Sequence, residues 1–243
     1  MSVPTHVPTY PLRVEARIDP GLSRWLWLLK WLLVIPHVIV LLVLWLVFAV
    51  LTFVAFVMIL VTARYPRPLF DFNVGVLRWG WRVSFYSYGV LGTDRYPPFT
   101  LADVPDYPAR LSVDYPERLS RGLVLVKWWL LVFPQALVTT ILVGGSVWTS
   151  STWDDGGSPA WQSNPGLIPL LVLFAAVALL CNGRYPRSLF DLVVGLQRWT
   201  LRVSAYAALM TDEYPPFRLD QGGDDPPAGP GLPAGAPSQA GPG

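Results

Sequence analysis

The sequence is short of charge. Of 243 residues, 14% are Asp, Glu, Lys or Arg while 53% are hydrophobic, a balance that ordinary soluble domains do not show. The formal net charge of +2 is too small to point to a nucleic-acid partner. With Cys181 as the single cysteine, an intrachain disulfide is excluded. Its place at the end of an apolar run, beside no Cys or His cluster, predicts a buried structural thiol. His6 lies in a Pro-rich arm far from any ligand cluster, so neither a metal site nor a cofactor is expected. The N-terminal stretch lacks the short apolar core and small-residue cleavage site of a secretory signal, so membrane insertion is expected to rest on later segments.

What the chain has in excess is long apolar runs. From 31 to 61 the only ionisable residue is His37. A single helix over that stretch would be about 46 Å long, against a hydrocarbon core of roughly 30 Å. A second run, "LSRGLVLVKWWLLVFPQALVTTILV" at 119–143, matches "LSRWLWLLKWLLVIPHVIVLLVL" at 22–44 with one residue inserted. It is followed by a polar stretch, and then "LIPLLVLFAAVALLC" at 167–181. The pattern predicts a transmembrane helical hairpin in each copy, over about 22–63 and over 119–143 with 166–182, the first turning tightly near 45–49. Lys and Arg are absent from 128–183, and loop 144–166 carries Asp154 and Asp155 instead. The positive-inside rule then puts that loop outside and both termini in the cytoplasm, giving a multi-pass protein of the cell membrane. An even number of crossings per copy implies parallel repeats about an axis along the membrane normal. Lys30 and Lys127 are expected to snorkel to the cytoplasmic boundary.

The longest repeated motif is "LVTARYPRPLFDFNVGVLRWGWRVSFY" at 60–86, which returns as "LCNGRYPRSLFDLVVGLQRWTLRVSAY" at 180–206. Asp71, Gly75, Arg78 and Arg82 fall on one helical face, as do Asp191, Gly195, Arg198 and Arg202. Amphipathic helices at the cytoplasmic interface are predicted over about 68–91 and 188–210, with Trp79, Trp81, Phe85 and Tyr86 at the headgroup level. Arg64, Arg67, Arg78, Arg82, Arg184, Arg187, Arg198 and Arg202 have two readings, plain interfacial arginines or a site for the phosphate of an anionic lipid. Asp71 and Asp191 read as helix-capping residues, with Ser188 completing a capping box. His37 and its counterpart Gln135 read as a polar contact across the bundle rather than a proton relay.

Outside the apolar runs, "YPLRVEARI" (10–18) and its copy "YPARLSVDY" (107–115) alternate as strands. With "YPPFTL" (96–101) and "YPPFRL" (214–219) they are expected to form one small cytoplasmic sheet. The chain thus divides into a first repeat (1–103), a second (104–221) and a disordered Pro/Gly-rich tail (222–243). The expected fold is mainly α and integral to the membrane: two tandem parallel repeats, each a transmembrane hairpin plus a cytoplasmic-side amphipathic helix, with short strands in a small sheet.

The RYPRxLFD, RW, DxYPPF and SRxLxLxKW elements, present in both halves, resemble the bacterial membrane-protein family called domain of unknown function 4389. The resemblance implies a multi-pass membrane protein and brings with it no activity or catalytic residue. The function expected is a membrane scaffold or accessory subunit binding another membrane protein. The alternative is an anionic-lipid-binding or lipid-transport protein that uses the arginine stripes. An enzyme is not expected, because Asp71 and Asp191 are the only acid-base candidates.

Overall fold

The computed structural model describes residues 10–149, 160–164, 166–216 and 219. Strand β1 (Leu12–Ala16) leads into α1 (Trp27–Thr62) and α2 (Arg67–Tyr86), followed by β2 (Ala109–Val113) and α3 (Arg121–Val126). A π-helical turn (Lys127–Leu131) joins α3 to α4 (Val132–Val143); then come β3 (Gly145–Thr149), β4 (Ala160–Asn164), α5 (Leu167–Asn182) and α6 (Arg187–Ala207). The tail from 222 and the loop tip 150–159, with Asp154 and Asp155, lie outside the described residues.

The first apolar run is one helix, not a hairpin. With 36 residues, α1 is about 54 Å long. No Gly interrupts it, and Pro36 is accommodated inside it. Nothing in the 45–49 segment offers the backbone a turn, so the hydrogen-bond ladder continues. Among the described residues α1 is the one helix long and apolar enough to cross a membrane, with α4 and α5 as shorter apolar helices.

The second apolar stretch is not a hairpin either. The amide of Leu119, just before α3, donates to the carbonyl of Ala63 beyond the end of α1 at 3.0 Å. The other end of this stretch, Gly183 after α5, lies against the Arg24 guanidinium before the start of α1. A hairpin would return its two ends to one place, whereas these lie at opposite ends of α1. So α3–α4, about 34 Å long, and α5, about 24 Å, stand end to end. They run antiparallel to α1. The antiparallel β3–β4 ribbon is looped out between them, with Gly166 backed onto Val143 and Gly144. Both junction glycines have positive φ, 87° at Gly144 and 75° at Gly166, a conformation costly for any residue with a Cβ. The π turn takes up the other irregularity. Lys127 and Pro134 are one residue further apart than Lys30 and Pro36, and an i→i+5 turn absorbs one extra residue without breaking the helix.

Helices α2 and α6 form the middle layer. They are not peripheral: Trp81, Phe85 and Tyr86 are at most 1% exposed and Trp79 is 6% exposed, so these aromatics pack inside the protein rather than at the headgroups. Beneath them β1 and β2 pair antiparallel, and Val14 faces Leu111, the residue holding the same place in the second strand sequence. Leu12, Val14 and Ala16 turn inward and are buried, as the alternation requires. The sheet has two strands rather than four: 96–101 forms no strand, and of 214–219 the described residues form none. Cys181 is exposed on α5, because two residues past the buried Leu179 its side chain lies about 200° round the helix, on the opposite face.

Candidate functional site

The helix arginines close the fold from within. Arg78 Nε donates to the carbonyl of Leu111 at 3.0 Å, and Arg198 donates to Val14 at 3.1 Å. Each reaches the strand of the opposite copy. Arg82 donates to the carbonyls of Ala102 at 2.8 Å and Thr100, and burial holds its guanidinium below the usual arginine range. The Arg202 guanidinium sits over the Tyr10 ring at 5.4 Å. Arg82, Arg198 and Arg202 are buried, so these planar forks serve backbone carbonyls and rings of this chain. Gly75, on the same stripe, gives room to Leu101, whose Cβ would sit 2.8 Å from any Cβ added there.

The remaining four arginines of the motif are exposed: Arg64, Arg67, Arg184 and Arg187. Three of them, Arg64, Arg184 and Arg187, border two clefts at opposite ends of α1. One, of 360 Å³, is lined by Asp19, Arg184, Tyr185 and Arg187 among others; the other, of 310 Å³, by Arg64, Tyr115, Glu117 and Arg118. Arg67 also lies over the Tyr115 ring, 4.2 Å from its centroid. The eight arginines therefore form an inner group and an outer group.

Asp71, Asp191 and Ser188 do not cap. Helices α2 and α6 begin at Arg67 and Arg187, after Pro66 and Pro186, and neither start has a side-chain cap. Proline supplies φ near −60° at both, which sets the entry to the helix by itself. Ser188 is then already inside the first turn.

His37 and Gln135 do not meet. His37 Nδ1 accepts from Trp79 Nε1 at 3.2 Å, and its ring stacks on Phe99 at 4.0 Å. An accepting Nδ1 means that the neutral imidazole carries its proton on Nε2. Gln135 donates to the carbonyl of Pro215 at 3.4 Å. Each thus binds its own YPPF segment, which explains why that segment is aromatic and Pro-rich without being a strand.

Sequence reasoning misses the lysines. Lys30 and Lys127 do not snorkel: they are 1% and 0% exposed. Lys30 Nζ donates to the carbonyl of Thr93 at 2.6 Å and pairs with Asp94 at 2.9 Å. Lys127 Nζ does the same with Thr211 at 2.7 Å and Asp212 at 2.6 Å. Each ammonium lies 4.8 Å from a tyrosine centroid, Tyr86 or Tyr206, and burial and the Asp212 charge push the Tyr206 phenol up to about 12. The second oxygen of each aspartate accepts from a serine amide ahead of the long helix, Ser23 at 2.5 Å or Ser120 at 2.7 Å. Buried leucines with positive φ, Leu91 (58°) and Leu209 (63°), precede both Thr-Asp turns. The signal was present: a lysine seven residues after Ser in each apolar run, and a Thr-Asp before each YPPF.

Between α1, α2, α4, α5 and α6 lies a cleft of about 440 Å³, lined by apolar residues such as Leu41 and Trp45 with Ser84, Gln197 and Ser204. Among the described residues no group of three or more His, Cys, Asp or Glu is arranged to hold a metal ion.

A family model described as Domain of unknown function (DUF4389) matches residues 24–100 and 165–218, more than half of the chain. The chain therefore belongs to that family. No curated protein and no solved structure matches it.

Proposed function

We propose that this member of the DUF4389 family is a membrane-embedded scaffold or accessory subunit that binds another membrane protein. One observation carries the reading: two opposed faces of opposite character. On one face α1, α4 and α5 expose Leu42, Leu46, Val61, Phe133 and Phe174, each more than 60% accessible. Helix α1 and the end-to-end run of α3–α4 and α5 beside it present on the order of 1,000 Å², beyond the largest apolar patch of a typical soluble monomer. On the other face the β1–β2 ribbon carries Arg13–Asp114 at 2.9 Å and Arg110–Asp103 at 2.6 Å. The hydrocarbon takes the first face and a partner takes the second. The swapped arginine bonds support a pair of tandem parallel repeats, each clasping the other's strand.

The test is co-purification from native membranes of the wild type and of an Arg13→Glu, Arg110→Glu variant. Those side chains are more than a third exposed and point away from the buried side of the ribbon, so the reversal leaves the core residues Leu12, Val14 and Ala16 in place. Loss of a stoichiometric membrane-protein partner in the variant supports the scaffold. Recovery of the wild-type protein in the soluble fraction sinks the membrane reading.

A second reading, anionic-lipid binding, is favoured by the matched clefts at the two RYPR turns. It now rests on Arg64, Arg67, Arg184 and Arg187 rather than on the inner arginines. Native mass spectrometry of the fourfold Ala variant tests it: an unchanged set of anionic-lipid adducts removes it.

A further inference from the structure

We infer that α1 and the end-to-end run of α3–α4 and α5 lie in the plane of the membrane, sunk in one leaflet, and do not cross it. The inference rests on the membrane reading above and adds the orientation. The decisive feature is where the charges sit along α1. Trp45, near the middle of α1, packs by Gly80 of α2. Arg78, two residues before Gly80, holds the centre of the ribbon at Leu111. The outward side chains of that ribbon and its neighbouring loop, Arg13, Glu15, Asp103, Arg110 and Asp114, are ionic and at least a third exposed. They therefore stand level with the midpoint of α1, on the far side of α2.

If α1 stood along the membrane normal, these five charges would sit at the bilayer centre, the costliest depth for them. A helix of about 54 Å would also overrun a core of roughly 30 Å by far. Laid flat, every constraint is met at once. The polar residues of α1 that are buried, Lys30, His37 and Thr52, all point down onto the protein, leaving the lipid side apolar. A helix of about 10 Å diameter fits a leaflet of half the core thickness. The exposed Arg24, Arg64, Arg67, Arg121, Arg184 and Arg187 then rim both ends of the layer at headgroup level, where they meet anionic lipid. A second copy on the apolar face would instead set rim against rim, like charge on like.

The experiment uses the full chain with Cys181→Ser and single cysteines at Ser23, Trp25, Leu46, Val61 or Arg64, all exposed, in phosphatidylcholine–phosphatidylglycerol vesicles. A membrane-impermeant maleimide reads sidedness, and spin labels at 25, 46 and 61 read depth from oxygen against nickel accessibility. We expect 23 and 64 on one side, and all three spin labels at one shallow depth. Positions 23 and 64 on opposite sides would mean a spanning helix. Position 46 at the bilayer centre with 25 and 61 at the surface would mean an arch; labels shielded from lipid would mean a second copy on the face. Each of those overturns the inference while leaving membrane residence intact, whereas failure to enter vesicles overturns the membrane reading itself.

Discussion

Arg198 reaches across to Val14, donating to its carbonyl from a side chain that is fully buried, and Arg78 makes the same bond to Leu111 from the other copy. A carbonyl inside a two-stranded ribbon that accepts from a buried guanidinium gains a charge-assisted partner. Losing that donor strands the acceptor in a dry interior. Arg198→Ala is therefore expected to cost about 2–4 kcal/mol, and Arg198→Lys not to restore it, since a point charge cannot replace the fork. Arg184→Ala, at an exposed position, is expected to change stability by less than about 0.5 kcal/mol. Thermal unfolding in detergent separates the two; equal losses would show that the inner and outer arginines do not differ.

The lysine clamps behave as coupled pairs. Removing one partner of a buried ion pair leaves the other uncompensated, so Lys127→Met alone and Asp212→Asn alone are each expected to destabilise by about 3 kcal/mol or more. The double variant costs less than their sum, with a coupling above about 1 kcal/mol. Strict additivity in the cycle would mean that the pair at 2.6 Å contributes nothing as a pair.

Position 63 tests backbone geometry. Ala63 ends α1 at φ 57°, where its counterpart Gly183 has φ 67°. Ala63→Gly relieves a left-handed residue and is expected to raise stability by about 0.5–1 kcal/mol. Gly183→Ala is expected to lower it by a similar amount, since a Cβ at φ 67° is strained, while the exposed Arg24 guanidinium beside it can swing aside. Both are read from unfolding midpoints, and a destabilising Ala63→Gly would refute the account of the turn.

The π turn predicts an asymmetry between deletions. Removing one of Trp128 or Trp129 restores the Lys-to-Pro spacing of the first copy, letting the segment run as an α-helix with Lys127 and Gln135 still on one face. The deletion is expected to fold, whereas removing Val138 rotates everything up to Val143 by about 100°. Expression as a monodisperse species in detergent reads the outcome; equal failure of both deletions would refute the absorption argument.

The ribbon gives a pH dependence. The hydrogen bond from Arg110 holds the Asp103 carboxyl below its ordinary value of 3.8. A lowered folded pKa means that the native state binds the proton less readily than the unfolded chain. The pair's contribution is therefore fully present above the unfolded value and is lost as pH falls through the folded one. Because both side chains are more than a third exposed, the effect is small. Asp103→Asn is expected to flatten the fall in stability below about pH 4; an unchanged slope would assign the fall to other carboxylates.

The sequence by itself determined what is local or periodic. Thirty-one residues without a charge other than His37 declare a long apolar helix, alternation at 12–16 declares a strand with one buried side, and the matched motifs declare the family. Tertiary structure alone decided the rest. A helix period places Arg78 and Arg198 on a stripe but does not say whether the stripe faces headgroups or another strand; the packing of α2 on β2 and of α6 on β1 turns it inward. Helical hydropathy likewise does not distinguish a helix that turns back from one that continues. The polar insertion at 144–166 looked like the mouth of a hairpin. Its described strands, β3 and β4, form a ribbon looped out of a straight run, because the ends of that run are held far apart, one at Ala63 and the other at Arg24. Both lysines belong here too: a charge on an apolar helix states a need for a partner, and only the fold, by bringing Thr-Asp turns 63 and 84 residues away in sequence against them, supplies it.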